Sequence, residues 1–175
     1  MLEHVRHDGM RMAMRGIAAA FALLGLSACG LSPMYAGGGN GAVARGLAAV
    51  EVAPIAGREG WLLRNELVDR LGAAGAEAPR YRLDVRLDDE LEALGILADD
   101  TVSRERRTLR ARYQLVDVSS GEILLDATDG IDAGIDVVGS EYATIAAEQT
   151  ALENLSRVLA DEIVTRLSLT LRRAQ

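Results

Sequence analysis

The chain has 175 residues and a formal charge of −7 from 19 basic and 26 acidic side chains, enough for one ordinary domain with a real core and too little for two large ones. With 49% hydrophobic and 26% charged residues, the composition is globular and excludes wholesale disorder, a collagen and a disulfide-stapled miniprotein. Aromatic residues make up only 3%, so the core must be aliphatic, and stacking platforms for single-stranded nucleic acid are disfavoured.

The one long apolar run, Ile17 to Leu26, follows Arg6, Arg11 and Arg15 and ends in small residues. It is too short to cross a bilayer as a helix, which takes roughly 20 apolar residues. A basic start, a short apolar stretch and a small-residue exit describe a secretory signal peptide. Residues 1–28 are therefore expected to be removed, with Met10, Met12 and Met14 as alternative starts to Met1. The exit reads Leu26-Ser27-Ala28-Cys29, and Cys29 is the only cysteine. This string resembles the bacterial lipobox, whose cysteine is lipidated and becomes the mature N-terminus. A lone cysteine in a secreted chain calls for such an explanation. Two or more acyl chains, such as palmitate, give stable anchoring at ~0.8 kcal/mol per buried methylene. Gly30 follows Cys29 where an aspartate would resemble an inner-membrane retention signal, so the expected address is the outer membrane.

Residues 29–46 hold six glycines and Pro33, the composition of a flexible tether, and residues 47–175 are expected to form one domain. Leu47 to Ile55 is predicted as a first strand, ended by Pro54 and Gly57. Arg58 to Ala74 places Trp61, Leu63, Leu67, Val68 and Leu71 at near-helical spacing, with Gly72 and Gly75 as stop signals. From Tyr81 the period becomes two: Tyr81, Leu83, Val85 and Leu87 alternate with Arg82, Asp84, Arg86 and Asp88, so one side is buried and the other wet. A second such run sets Leu109, Ala111, Tyr113 and Leu115 against Arg106, Thr108, Arg110, Arg112 and Gln114. Ser119-Ser120-Gly121 turns the chain into a third run from Ile123 to Val137, which should pair antiparallel with the second. Helical spacing returns from Ser140 to Arg173, through Tyr142, Ile145, Gln149, Leu152, Leu155, Leu159, Ile163 and Leu167. The expected fold is α+β in the order β-α-β-β-β-α, a mainly antiparallel four-stranded sheet with two amphipathic helices on one face.

Both histidines, His4 and His7, lie in the segment to be removed, so the mature domain lacks Ser-His-Asp and Cys-His devices and any histidine-ligated metal. Paired acids at Asp88-Asp89-Glu90 and Asp99-Asp100 sit where solvated turns usually carry them. Asp126, Asp129, Asp132 and Asp136 miss the spacing of a calcium loop. No catalytic residue, metal site or cofactor is expected. The basic feature is sharper. Arg104, Arg106, Arg107, Arg110 and Arg112 crowd nine residues, and four of them, Arg104, Arg106, Arg110 and Arg112, share the wet side of a strand. Arginine binds phosphate in a bidentate fork, so a phosphorylated ligand is one reading. The other is pairing across strands with Asp84, Asp88, Glu122 or Asp126, which would neutralise the stripe. Nucleic acid is a poor partner for an acidic domain outside the cytoplasm.

Several strings in order resemble the lipopolysaccharide-assembly lipoprotein family LptE, in its alphaproteobacterial form. They are Cys29-Gly30-Leu31-Ser32-Pro33-Met34-Tyr35, Leu63-Arg64-Asn65-Glu66-Leu67, Gly95-Ile96 with Asp100-Thr101-Val102-Ser103-Arg104, Ala111-Arg112-Tyr113-Gln114-Leu115, Ser140-Glu141-Tyr142-Ala143-Thr144, and Leu159-Ala160-Asp161-Glu162-Ile163 with Arg166-Leu167. Leu31 and Met34 depart from the family, which more often has an aromatic residue and Leu there. The resemblance implies a non-enzymatic outer-membrane lipoprotein, lipidated at Cys29, that plugs the LptD β-barrel, assists its assembly and helps lipopolysaccharide reach the outer leaflet. It makes the acids of lipopolysaccharide the candidate ligand of Arg104, Arg106, Arg110 and Arg112. The rival reading is an outer-membrane lipoprotein accessory to another lipid-transport system, or a periplasmic chaperone. A hydrolase working through Asp99 and Asp100 is a third.

Overall fold

The computed structural model describes residues 41–72, 79–96, 102–137 and 139–174. The expected signal peptide, Cys29, the tether up to residue 40, and Asp99 and Asp100 lie outside them. The described elements are α1 (Ala42–Ala48), β1 (Val50–Val52), α2 (Gly57–Leu71), β2 (Tyr81–Ile96), β3 (Val102–Asp117), β4 (Ile123–Asp136) and α3 (Glu141–Arg173).

The sheet runs in the order β1-β2-β3-β4. The β2–β3 and β3–β4 pairs are antiparallel, and β1 lies parallel to β2 with Val50 beside Tyr81 and Val52 beside Leu83. The α+β class stands and the sheet is mixed. The parallel pair follows from connection length, because the chain leaves β1, passes through α2 and can return alongside in the same direction.

Two expectations need correction. There are three described helices rather than two, since residues 42–46, expected in the tether, belong to α1. Leu47 on α1 is buried, and Gly46 sits so close to α3 that a Cβ there would lie 3.4 Å from Leu171 Cδ1. Burial against α3 thus holds a helix that its glycine-rich surroundings disfavour. The first strand correspondingly shrinks from Leu47–Ile55 to Val50–Val52.

Alternation in β2 and β3 sorts as expected. Leu83, Leu109, Ala111, Tyr113 and Leu115 are fully buried, in one core with Leu63 and Leu67 of α2 and Leu159, Ile163 and Leu167 of α3. Each such leucine contributes roughly 1.5–3 kcal/mol relative to exposure. Helix α2 ends at Gly72, whose φ of 68° is the left-handed cap geometry glycine favours. Its buried stripe is Gly60, Leu63, Leu67 and Leu71, so Trp61, one position off that register, is exposed. Likewise Tyr142 and Ile145 lie on the first turns of α3, before its buried stripe begins at Ala151. The two longer helices are tied by Arg70 of α2, whose Nε donates to Asp161 Oδ1 of α3 at 2.5 Å.

Candidate functional site

On the solvent side of the sheet, β3 presents Arg104, Arg106, Arg110 and Arg112, all exposed. The strand register decides what each one meets. Arg104 lies opposite Asp136 of β4, and its Nε donates to that carboxylate at 3.1 Å. Arg106 reaches diagonally to Asp132 at 3.7 Å, and Arg112 reaches diagonally to Asp126 at 3.2 Å. The Arg112 guanidinium and the Gln114 amide hold the Asp126 carboxyl below its usual range. Of the four acids expected as cross-strand partners, Asp126 alone serves among the described residues; the others used are Asp132 and Asp136. Asp84 instead accepts from Arg82 of its own strand at 3.0 Å.

Arg110 differs from its neighbours. It stands between Asp88 of β2 and Gly130 of β4, and it makes no ion pair among the described residues. Its stem lies over the glycine, where a Cβ would be 3.6 Å from Arg110 Cγ. Arg86 of β2 adds a cation that the sequence reading did not single out. It is exposed and directly opposite Arg112, a like-charge pair that costs stability unless an anion lies between its members. Its only signal in the sequence is shared parity, and the register that places it depends on the β2–β3 connection.

The fifth clustered arginine, Arg107, lies on the helix side of the sheet. It pairs with Asp89 and donates through Nη1 to the Glu148 carbonyl of α3 at 3.1 Å. The acidic string is therefore divided, because Asp89 faces the helices while Asp88 and Glu90 alternate to the solvent side. The four β4 aspartates do not converge either. Asp126, Asp132 and Asp136 lie on the solvent side, whereas Asp129 faces α3, accepting the Tyr113 hydroxyl and pairing with Arg166. Burial, then the Asp129 carboxylate, pushes the Tyr113 phenol well above its ordinary pKa. Among the described residues no group of acids is arranged to hold a metal ion.

Two separate open clefts lie between α3 and β4. The one near the start of β4 has about 730 Å³ beside Leu125, Asp129, Val158, Glu162, Arg166 and Leu169. The one near the end of β4 has about 560 Å³ and is lined by Ala133, Ile135, Ala147, Thr150 and Asn154. Neither brings a nucleophile and a base together.

These features describe a charged sheet on an aliphatic core with surfaces suited to binding. The sequence matches the lipopolysaccharide-assembly family LptE over residues 47–167. The chain belongs to the LptE family. No curated protein matches it significantly. Among solved structures, a lipoprotein from Caulobacter crescentus is similar at 26% identity and a TM-score of 0.64, covering 74% of this chain and 96% of its own. Rare lipoprotein B from Shewanella oneidensis is 13% identical with a TM-score of 0.51, covering 71% and 97%. A minor lipoprotein from Acinetobacter baumannii is 17% identical with a TM-score of 0.53, covering 69% and 88%. The last two likenesses show the fold. As an LptE member the chain is assigned to lipopolysaccharide assembly, and no described helix is long and apolar enough to cross a membrane.

Proposed function

We propose that this LptE member is a non-enzymatic lipoprotein, anchored in the outer membrane through Cys29, that plugs the LptD β-barrel, supports its assembly and helps lipopolysaccharide pass to the outer leaflet. The family match over residues 47–167 carries the reading. A barrel lumen is polar, and a body with a charged sheet surface around an aliphatic core suits that environment. The lipopolysaccharide contact is the arginine stripe of Arg104, Arg106, Arg110 and Arg112, with Arg110 meeting the anion first because, among the described residues, no carboxylate has to be displaced from it. The ion pairs of the other three are exposed and weakened by solvent, so a bidentate phosphate can compete for them.

Purification from solubilised membranes tests the reading. The chain should retain one large β-barrel protein in equal amount, and depletion should lower both assembled barrel and surface lipopolysaccharide. Unchanged levels of both, or capture of a transport ATPase in place of the barrel, would favour the accessory-subunit alternative.

A further inference from the structure

The outer edge of β4 is an unfinished sheet. The strand is 14 residues long, contains no proline, and receives no backbone hydrogen bond from another element along its outer side among the described residues. Native edges of such length are normally shortened, bulged or covered. Its two sides carry different chemistry. On the solvent side stand Asp126, Asp132 and Asp136, interrupted by Gly130 and by Gly134, where a Cβ would meet nothing within 4 Å. On the helix side, the larger α3–β4 cleft opens beside the edge, with Val158 49% and Leu169 39% exposed and Leu125 partly buried.

We propose that this edge accepts an extended segment of another polypeptide as a fifth strand, one whose basic and apolar side chains alternate. Residues in a strand point to opposite sides in turn, so such a segment would set its cations beside Asp126, Asp132 and Asp136 and its apolar side chains over Val158, Leu169 and Leu125. Asp136 and Asp132 retain room for a second cation, because Arg104 hydrogen-bonds one oxygen of Asp136 and Arg106 only approaches Asp132 at 3.7 Å, whereas both oxygens of Asp126 are engaged by Arg112 and Gln114. Charge also disfavours the obvious competitor. A second copy of β4 laid antiparallel on the first would bring aspartate rows together, which is unfavourable across strands. The inference rests on the edge, the cleft and the aspartates, and does not depend on the arginine stripe or on the partner proposed above.

The test titrates the full chain in detergent with three short synthetic peptides: one alternating valine and arginine, one alternating valine and glutamate, and one with the first composition in two blocks. Only the first should bind, and amide hydrogen exchange should slow within residues 123–136. Asp132→Asn and Val158→Glu, both at exposed positions, should each weaken binding about tenfold. Equal binding of the three peptides, protection elsewhere, or affinity unmoved by both substitutions overturns the proposal. So does concentration-dependent self-association that protects the same strand without peptide. If either variant failed to fold, the peptide comparison and the exchange map on the unmodified chain would still decide.

Discussion

Arg107 and Asp89 meet on the helix side of the sheet, where Arg107 Nε donates to Asp89 Oδ1 at 2.8 Å and both side chains are largely buried. Strand alternation alone separates this arginine from the four beside it. The same guanidinium also donates to a carbonyl of α3, so it joins β2, β3 and α3.

Removing one member of that pair leaves the other's charge uncompensated where its side chain is shielded from most solvent. Arg107→Ala should lower stability by about 2 kcal/mol, the scale of a hydrogen bond to a charged group. Arg104→Ala, which breaks an exposed pair, should cost less than about 1 kcal/mol. Urea unfolding of the two variants measures the contrast, and equal losses would contradict it.

Tyr113 makes stability sensitive to alkali. Its phenol has a raised pKa in the folded state, so the unfolded chain releases that proton first, near pH ~10. The stabilisation is complete below that pH and declines as pH rises above it. Tyr113→Phe should cost about 1 kcal/mol at neutral pH through the lost hydrogen bond to Asp129, and should flatten the decline above pH ~10. Melting temperatures collected between neutral pH and strong alkali would show both effects; a slope identical in the two proteins would count against it.

Two glycines should respond oppositely to alanine. Gly60 lies inside α2, where alanine ordinarily helps by up to about 1 kcal/mol, yet a Cβ there would lie 2.7 Å from Ile55 Cγ2 and 2.9 Å from the Ile55 carbonyl oxygen. The helix would have to shift off the preceding loop, so Gly60→Ala should destabilise by about 1–3 kcal/mol. Gly134→Ala meets open space in a strand and should be neutral or slightly stabilising. Thermal denaturation of the pair reads the sign directly.

For the ligand, Arg110→Glu should weaken lipopolysaccharide binding more than Arg104→Glu, because Arg104 already has Asp136 and Arg110 has no ion pair among the described residues. Both sites are exposed, so the fold should survive. Reversing Arg110 and Arg112 together should deepen the loss. Binding to immobilised lipopolysaccharide, with circular dichroism as the folding control, separates the outcomes; unaltered binding in the double variant would reduce the stripe to a solvated surface.

The sequence by itself determined which residues alternate. Periodicity of two told that Leu83, Tyr113 and Leu115 would be buried and that Arg104, Arg106, Arg110 and Arg112 would be wet, and helical spacing located α2 and α3, because these patterns are local consequences of backbone geometry. Only the tertiary structure decided which acid each arginine meets, that Arg86 faces Arg112, that Asp89 receives Arg107, and that a short helix precedes β1. Those depend on register and on burial against distant elements. A shift of one residue between strands exchanges every partner without altering either strand's own pattern.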